Sequence, residues 1–186
     1  GDCQIKLDNE NILIKGNKAS GTSGNGNGGG LFVEKGTLEI SACTIIENSA
    51  DNNGGGIALR VERIGGDVTV NMTGGIIRDN TAKANGGGID IYADYNFTEN
   101  DTSGDANKKN DVVVNLEAGT LENNSANGNG GGINIAINEN NGTAVMNIGN
   151  DSSTLISNIT GNVASNFGGG ICINGGSVNM TNGIIN

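Results

Sequence analysis

Residues 76–91 read IIRDNTAKANGGGIDI, and this stretch contains both elements on which the fold depends. The first element is an apolar residue, Ile77, followed three places later by Asn80 and two places after that by Ala82. The second is a glycine triplet that leads into the alternating run Ile89 to Ile91. Both elements recur five times along the chain, so the sequence consists of irregular repeats of one structural unit.

The repeats differ in length. Successive glycine triplets are 26, 32, 44 and 38 residues apart. The shortest interval defines a basic coil of 26 residues, and the longer intervals read as that coil with insertions. Most of the extra length follows the strand after the glycines, in segments 34–36, 60–67, 93–111 and 138–143. Insertions at one corner place loops along one edge of the molecule, which in repeat proteins often binds the partner.

Each repeat also contains a second short strand in which apolar residues alternate with polar ones, as in Leu38-Glu39-Ile40 and Val70-Asn71-Met72. Strands this short are not stable alone, and no segment shows the 3.6-residue period of an amphipathic helix. Stacking the repeats about 4.8 Å apart buries the apolar side chains in a thin tube. The sequence therefore predicts an all-β fold in one domain, residues 1–186: a right-handed parallel β-helix (β-solenoid) of about five stacked three-strand coils of 26 or more residues.

The recurring asparagine of the first element is the best candidate for a structural ladder. In stacked coils, its side-chain amides pair from one coil to the next, which satisfies their donors and acceptors at a buried turn. Glycine fits the other corner, where the backbone turns sharply. The predicted ladder consists of Asn17, Asn48, Asn80, Asn124 and Asn162.

The paired elements carry a family resemblance. Ile45 to Ala50 with Gly54 to Ile57, and Ile77 to Ala82 with Gly86 to Ile89, resemble the tandem repeats of the chlamydial polymorphic membrane proteins and related bacterial right-handed parallel β-helix adhesins. The resemblance covers almost the whole chain. Those repeats usually have phenylalanine before x-x-Asn and alanine after Gly-Gly, where this chain has Ile or Leu and a third glycine. The resemblance implies a surface-exposed or extracellular protein that acts in adhesion.

Composition and charge exclude several classes of function. The net charge is −10 with no histidine, so nucleic acid and anionic membrane surfaces are repelled. No apolar run is long enough to predict insertion into a membrane. The three cysteines lie far apart without CxxC spacing, which allows at most one internal disulfide and excludes structural zinc. No cofactor is expected.

The longest insertion is the best candidate for a contact surface, because it concentrates aromatic and basic residues in a chain that is poor in both. The alternative is that loops lengthen wherever nothing forbids it. The candidate contact residues are Tyr92, Tyr95, Phe97, Lys108 and Lys109.

Catalysis is not expected. Hydrolysis or elimination of a polysaccharide requires carboxylates placed across the sugar or around a cation. Asp90 with Asp94, or Glu62 with Asp67, supply carboxylates, but no two adjacent coils place acidic residues in one outward column. The acidic residues are therefore interpreted as solvated surface charge, with no catalytic, cofactor-binding or metal-binding residue.

These observations favour a non-catalytic extracellular or cell-surface solenoid that serves as an adhesin or stalk. The alternatives are a self-assembling filament subunit that stacks end to end and, less favoured, a polysaccharide lyase or hydrolase. The expected partner is the chain itself or a host or cell-surface protein or glycan. Both ends fall within a coil, so the chain is expected to be a segment of a longer solenoid or a stacking subunit.

Overall fold

A computed structural model describes residues 3–22, 24–61, 66–93, 110–137, 142–150 and 156–186. In these segments every regular element is a β-strand, and none is a helix. All strand pairs are parallel, and the strands form three sheets. The predicted all-β class and stacked parallel strands are confirmed, and the arrangement is consistent with a β-solenoid.

The strands range from 2 to 13 residues in length, and the chain passes through the three sheets in turn. In chain order they are β1 (Cys3–Lys15), β2 (Lys18–Ala19), β3 (Leu31–Val33), β4 (Gly36–Ile46), β5 (Ser49–Ala50), β6 (Ile57–Val61), β7 (Val68–Arg78), β8 (Thr81–Ala82), β9 (Ile89–Ala93), β10 (Val112–Glu122), β11 (Ser125–Ala126), β12 (Ile133–Ile137), β13 (Ala144–Ile148), β14 (Ser157–Thr160), β15 (Val163–Ala164), β16 (Ile171–Asn174), β17 (Ser177–Met180) and β18 (Ile184–Ile185).

The first sheet has eight strands in the order β1-β4-β7-β10-β13-β17, with β14 paired to both β10 and β18. The second sheet contains β2, β5, β8, β11 and β15, and the third contains β3, β6, β9, β12 and β16. Each strand inside these sheets thus pairs with its equivalents in the preceding and following repeats, and the strands at the ends of a sheet pair on one side.

The register aligns equivalent side chains of successive repeats. Ile45 pairs with Ile77, Ile77 with Leu121, and Leu121 with Ile159. These four side chains are fully buried, as are equivalent Ile, Leu, Val and Met residues of the other strands. Burying one such side chain contributes about 1.5–3 kcal/mol, so the interior columns supply the main stabilising term.

The three central strands of the third sheet, β6, β9 and β12, are buried on both faces over their first three residues, which the alternating pattern did not predict. The middle residues of these three strands, Ala58, Asp90 and Asn134, are buried along with the residues on either side. The glycine-rich segments before the strands cover this outer face: a Cβ atom on Gly86 would lie 2.5 Å from Asp90 Cβ, and Gly86 has φ +65°. Only glycine fits so close to the strand. The interpretation of Asp90 as solvated surface charge is therefore wrong.

The insertions are not confined to one corner. Residues 20–30 between β2 and β3 form a longer connection than residues 51–56 between β5 and β6. Residues 149–156 separate β13 from β14, whereas β10 runs unbroken through the equivalent region. The insertion between β2 and β3 borders a cavity next to Arg60.

Candidate functional site

One corner of the fold, named here the insertion edge, lies where the third-sheet strands β6, β9 and β12 end and the first-sheet strands β7, β10 and β13 begin. The strand ends pair across repeats, Val61 with Ala93 and Ala93 with Ile137. The strand starts do the same: Val112 pairs with both Val68 and Ala144. Insertions of unequal length therefore leave from and return to stacked positions without disturbing either sheet.

Most of the predicted contact residues lie outside the described segments. Tyr95, Phe97, Lys108 and Lys109 fall in segment 94–109. Tyr92 is described: it is half-buried in β9, next to the insertion edge. The structure therefore positions one of the five predicted contact residues.

Tyr92 is held by a basic side chain of the preceding repeat. Arg60 pairs in register with Tyr92, and its Cζ atom lies 5.0 Å from the centre of the tyrosine ring. Arg60 Nη1 also donates a hydrogen bond of 3.0 Å to the carbonyl of Gly24. This cation–π contact and hydrogen bond restrict both side chains.

A cavity of about 160 Å³ lies beside Arg60. It is lined by Gly24, Asn25, Asn27, Phe32, Glu34 and Arg60. Phe32 is 49% exposed, although the equivalent residues of the next three repeats are buried. The cavity therefore combines an accessible aromatic ring with amide, carboxylate and guanidinium groups.

The wall of the cavity is a tight loop formed by the insertion between β2 and β3. A Cβ atom on Gly21 would lie 2.7 Å from the nitrogen of Gly26, so the two ends of the loop touch. Asn27 Nδ2 donates to the carbonyl of Gly24 at 2.6 Å, the same oxygen that Arg60 contacts. The nitrogen of Asn52 donates to the carbonyl of Gly26 at 3.0 Å. These bonds fix the loop to the second repeat.

This cavity was not predicted from the sequence, although two signals mark it. Phe32 is the only aromatic residue in a column that otherwise reads Ala58, Asp90, Asn134 and Cys172. The spacing from Ala19 to the following glycine triplet also exceeds that of every other repeat. A large side chain next to an extra loop is a local departure from the repeat.

Asp90 is a buried carboxyl group with an altered pKa. Burial raises the pKa of Asp90 to about 7, while the hydrogen bond from Asn134 Nδ2 at 2.8 Å and the charge of Arg60 oppose this rise. The carboxyl group is 1% exposed beneath the glycine-rich segment. A substrate cannot contact it there, so the position suits a structural group better than a catalytic acid.

Within the described segments, the other acidic candidates do not form a catalytic pair. Asp67 Oδ1 accepts a hydrogen bond of 3.1 Å from the nitrogen of Asp111, and Asp111 Oδ1 accepts one of 2.7 Å from Thr143 Oγ1. These contacts join successive repeats. Glu62 and Asp94 lie outside the described segments. Across segments 3–22, 24–61, 66–93, 110–137, 142–150 and 156–186, no three His, Cys, Asp or Glu residues are grouped to hold a metal ion.

The five predicted ladder asparagines are joined by amide hydrogen bonds. The Nδ2 atoms of Asn17, Asn48, Asn80 and Asn124 donate to Oδ1 of the next member at 2.9, 3.0, 3.0 and 3.0 Å. Backbone N–H groups donate to the same oxygens. This ladder lies at the corner between the first and second sheets.

Two further asparagine ladders were not predicted. One of them lies on the outer face of the first sheet, where each amide donates to its equivalent in the preceding repeat at 2.8–3.0 Å: Asn179 to Asn147, Asn147 to Asn115, and Asn115 to Asn71. Before the glycine triplets, Asn85 donates to Asn53 and Asn53 to Asn27, each at 3.2 Å. The same residue at the same position in successive repeats is the sequence signal for both.

No protein-family model matches the chain, and neither a curated protein nor a solved structure is significantly similar to it. The described part of the chain contains no helix long and apolar enough to cross a membrane. Fold and site together define the class: a β-solenoid-like repeat protein with an aromatic and polar cavity beside an edge of insertions.

Proposed function

We propose that the chain is a non-catalytic extracellular or cell-surface protein, an adhesin or stalk, built as a right-handed parallel β-helix of about five coils. Its contact surface is the insertion edge. The observation that carries the proposal is the unbroken register of Val61, Ala93 and Ile137 on one side of that edge and of Val68, Val112 and Ala144 on the other. A rigid scaffold that tolerates loops of unequal length at stacked positions is suited to present them to a partner.

Two further observations support this assignment. The three asparagine ladders and the apolar columns join the repeats through residues that all lie outside segments 62–65, 94–109 and 138–141, so these contacts do not depend on the segments inserted at the insertion edge. The repeats resemble those of the chlamydial polymorphic membrane proteins, whose relatives act at cell surfaces. A net charge of −10 favours a neutral or basic partner.

The test is a loop exchange that keeps the scaffold. Residues 94–109 are replaced by the four residues of segment 62–65, because Gly66 donates to Asn110 Oδ1 at 3.1 Å and the flanking strands are in register. The shortened chain should unfold at the same urea concentration as the original. Beads coated with it should no longer adhere to intact cells to which the original chain binds.

Equal adhesion of both chains would contradict a contact surface in that insertion. Location is tested separately: antibodies against the chain should label intact cells that express the full-length gene, and labelling only after permeabilisation would contradict a surface location.

A filament subunit is the second candidate. Val178, Met180, Ile184 and Ile185, in β17 and β18, are exposed large apolar residues in the last repeat. A second copy stacked on this repeat would cover them. Electron microscopy of the purified chain should then show long unbranched fibres, whereas monodisperse short rods would contradict assembly.

A further inference from the structure

We infer that the cavity beside Phe32 binds one neutral sugar residue of a glycan. This inference rests on the proposed function, because it gives a chemical class to the partner of the contact surface. The site comprises the exposed ring of Phe32, the polar side chains of Asn25 and Glu34, and a wall formed by Arg60 and Gly24.

The aromatic ring supplies the apolar half of the site. At the position of Phe32, the next three repeats have small or polar side chains that the glycine-rich segments cover. Phe32 remains half-exposed and faces the cavity instead of the core. An exposed aromatic face contacts the C–H face of a pyranose ring favourably, because the C–H groups carry positive charge and the ring face negative charge.

The polar groups around the ring match hydroxyl groups. Glu34 accepts hydrogen bonds, and the amide of Asn25 both donates and accepts. Asn27 belongs to the wall, because its oxygen accepts two hydrogen bonds from Asn53 and its nitrogen donates to Gly24. Hydroxyl groups, which donate and accept, therefore fit the remaining groups.

The charge balance favours a neutral ligand. Among the described residues that line the cavity, Glu34 carries the carboxylate and Arg60 the guanidinium. A cationic ligand on the phenylalanine ring would be opposed by Arg60, and an anionic ligand would be opposed by Glu34. A neutral sugar meets neither repulsion.

The size and rigidity of the cavity indicate a single ring. Its volume of about 160 Å³ lies below the range of roughly 300–1,000 Å³ that is usual for drug-sized ligands. The bonds to the carbonyl of Gly24 hold the loop in place before a ligand arrives. A site formed in advance loses little entropy on binding, and one ring in such a site should bind with a dissociation constant on the order of millimolar.

The experiment is saturation-transfer NMR on the full chain with methyl glycosides of glucose, galactose, mannose and N-acetylglucosamine. At least one glycoside should receive saturation, and Phe32→Ala should reduce its binding at least tenfold. Phe167→Ala is the matched control, because Phe167 is 70% exposed and does not line the cavity. It should leave binding unchanged. Both residues are exposed, and thermal unfolding of each variant checks that the fold is kept.

Glu34→Gln separates a neutral ligand from a cationic one. It removes the charge but keeps an acceptor oxygen, so glycoside binding should change less than about threefold. Tetramethylammonium serves as the cationic probe and should not bind. Absence of saturation for all four glycosides, an equal loss in Phe32→Ala and Phe167→Ala, or tetramethylammonium binding that Glu34→Gln abolishes would each overturn the inference. If the cavity fails these tests while the loop exchange still abolishes adhesion, the proposed function stands without the sugar site.

Discussion

Asn80 donates one side-chain hydrogen bond to Asn124 Oδ1 and another to the carbonyl of Ile45, each at 3.0 Å. Its own Oδ1 accepts from the nitrogen and from Nδ2 of Asn48, at 2.9 and 3.0 Å. All four hydrogen-bonding positions of this amide are thus satisfied, although its exposure is 0%. One side chain therefore links three consecutive repeats.

Replacing this amide should be costly. Asn80→Leu leaves the amide groups of Asn48 and the carbonyl of Ile45 without their partner, and each buried group left unpaired costs about 1–3 kcal/mol. We expect the free energy of unfolding in urea to fall by at least about 3 kcal/mol. Asn115→Leu, in the half-buried ladder outside the first sheet, should cost less than about 1.5 kcal/mol. Equal losses in the two variants would contradict a special role for the buried ladder.

Asp90→Asn should stabilise the protein at neutral and alkaline pH. Burial raises the pKa of Asp90 to about 7, above its unfolded value, so the unfolded chain releases this proton at lower pH than the folded chain does. The contribution of Asp90 to the free energy of unfolding is therefore fully present below about pH 4 and is lost as the pH rises towards 7. We expect Asp90→Asn to gain on the order of 2–4 kcal/mol at pH 8 and little at pH 4. Asn134 and Arg60 are the groups that interact with the carboxyl group. A gain that is the same at both pH values would contradict the raised pKa.

The residue before each ladder asparagine has a left-handed backbone conformation, and glycine should be preferred there. Gly16 and Gly161 have φ of 67° and 63°, and Glu47 has φ of 55° at the equivalent position. Because this conformation costs a non-glycine residue about 1–2 kcal/mol, Glu47→Gly should increase the melting temperature. Glu122→Gly, in the extended strand β10, should lower it, because glycine weakens a strand. Equal decreases in both variants would refute the backbone explanation.

The cysteines should differ strongly in reactivity. Burial raises the pKa of the Cys43 thiol to about 11, and its side chain is buried, whereas Cys3 is exposed. Because the thiolate is the reactive form, maleimide at pH 8 should label Cys43 at least about 100-fold more slowly than Cys3. Mass spectrometry of peptides over time measures both rates. Comparable rates would place Cys43 outside the apolar interior.

The strand columns were predictable because side-chain alternation and the repeat spacing act locally. The positions of Ile45, Ile77, Leu121 and Ile159 followed from the apolar-x-x-Asn pattern alone. The buried state of Asp90 did not, because it depends on a glycine-rich segment that folds back over the strand. In an alternating pattern, a covered outer face and a solvated one look alike.

The candidate site was less predictable than the fold. The cavity at Phe32 requires the loop from Gly21 to Gly26 to close on itself and to receive Arg60 from the next repeat. Spacing within the sequence does not determine such contacts. The left-handed residue Glu47 carried a usable signal, since glycine occupies the equivalent positions 16 and 161.

The stacking of equivalent side chains is tested most directly by disulfide formation between neighbouring strands on the outer face of the first sheet. Thr37 pairs with Thr69, and Thr69 with Val113 in the next strand. With Cys3 and Cys172 replaced by serine, Thr37→Cys with Thr69→Cys should form a disulfide on mild oxidation, because adjacent strands lie about 4.8 Å apart. Thr37→Cys with Val113→Cys spans two strand spacings and should stay reduced. A crosslink in the second pair, or none in the first, would contradict the stacked register.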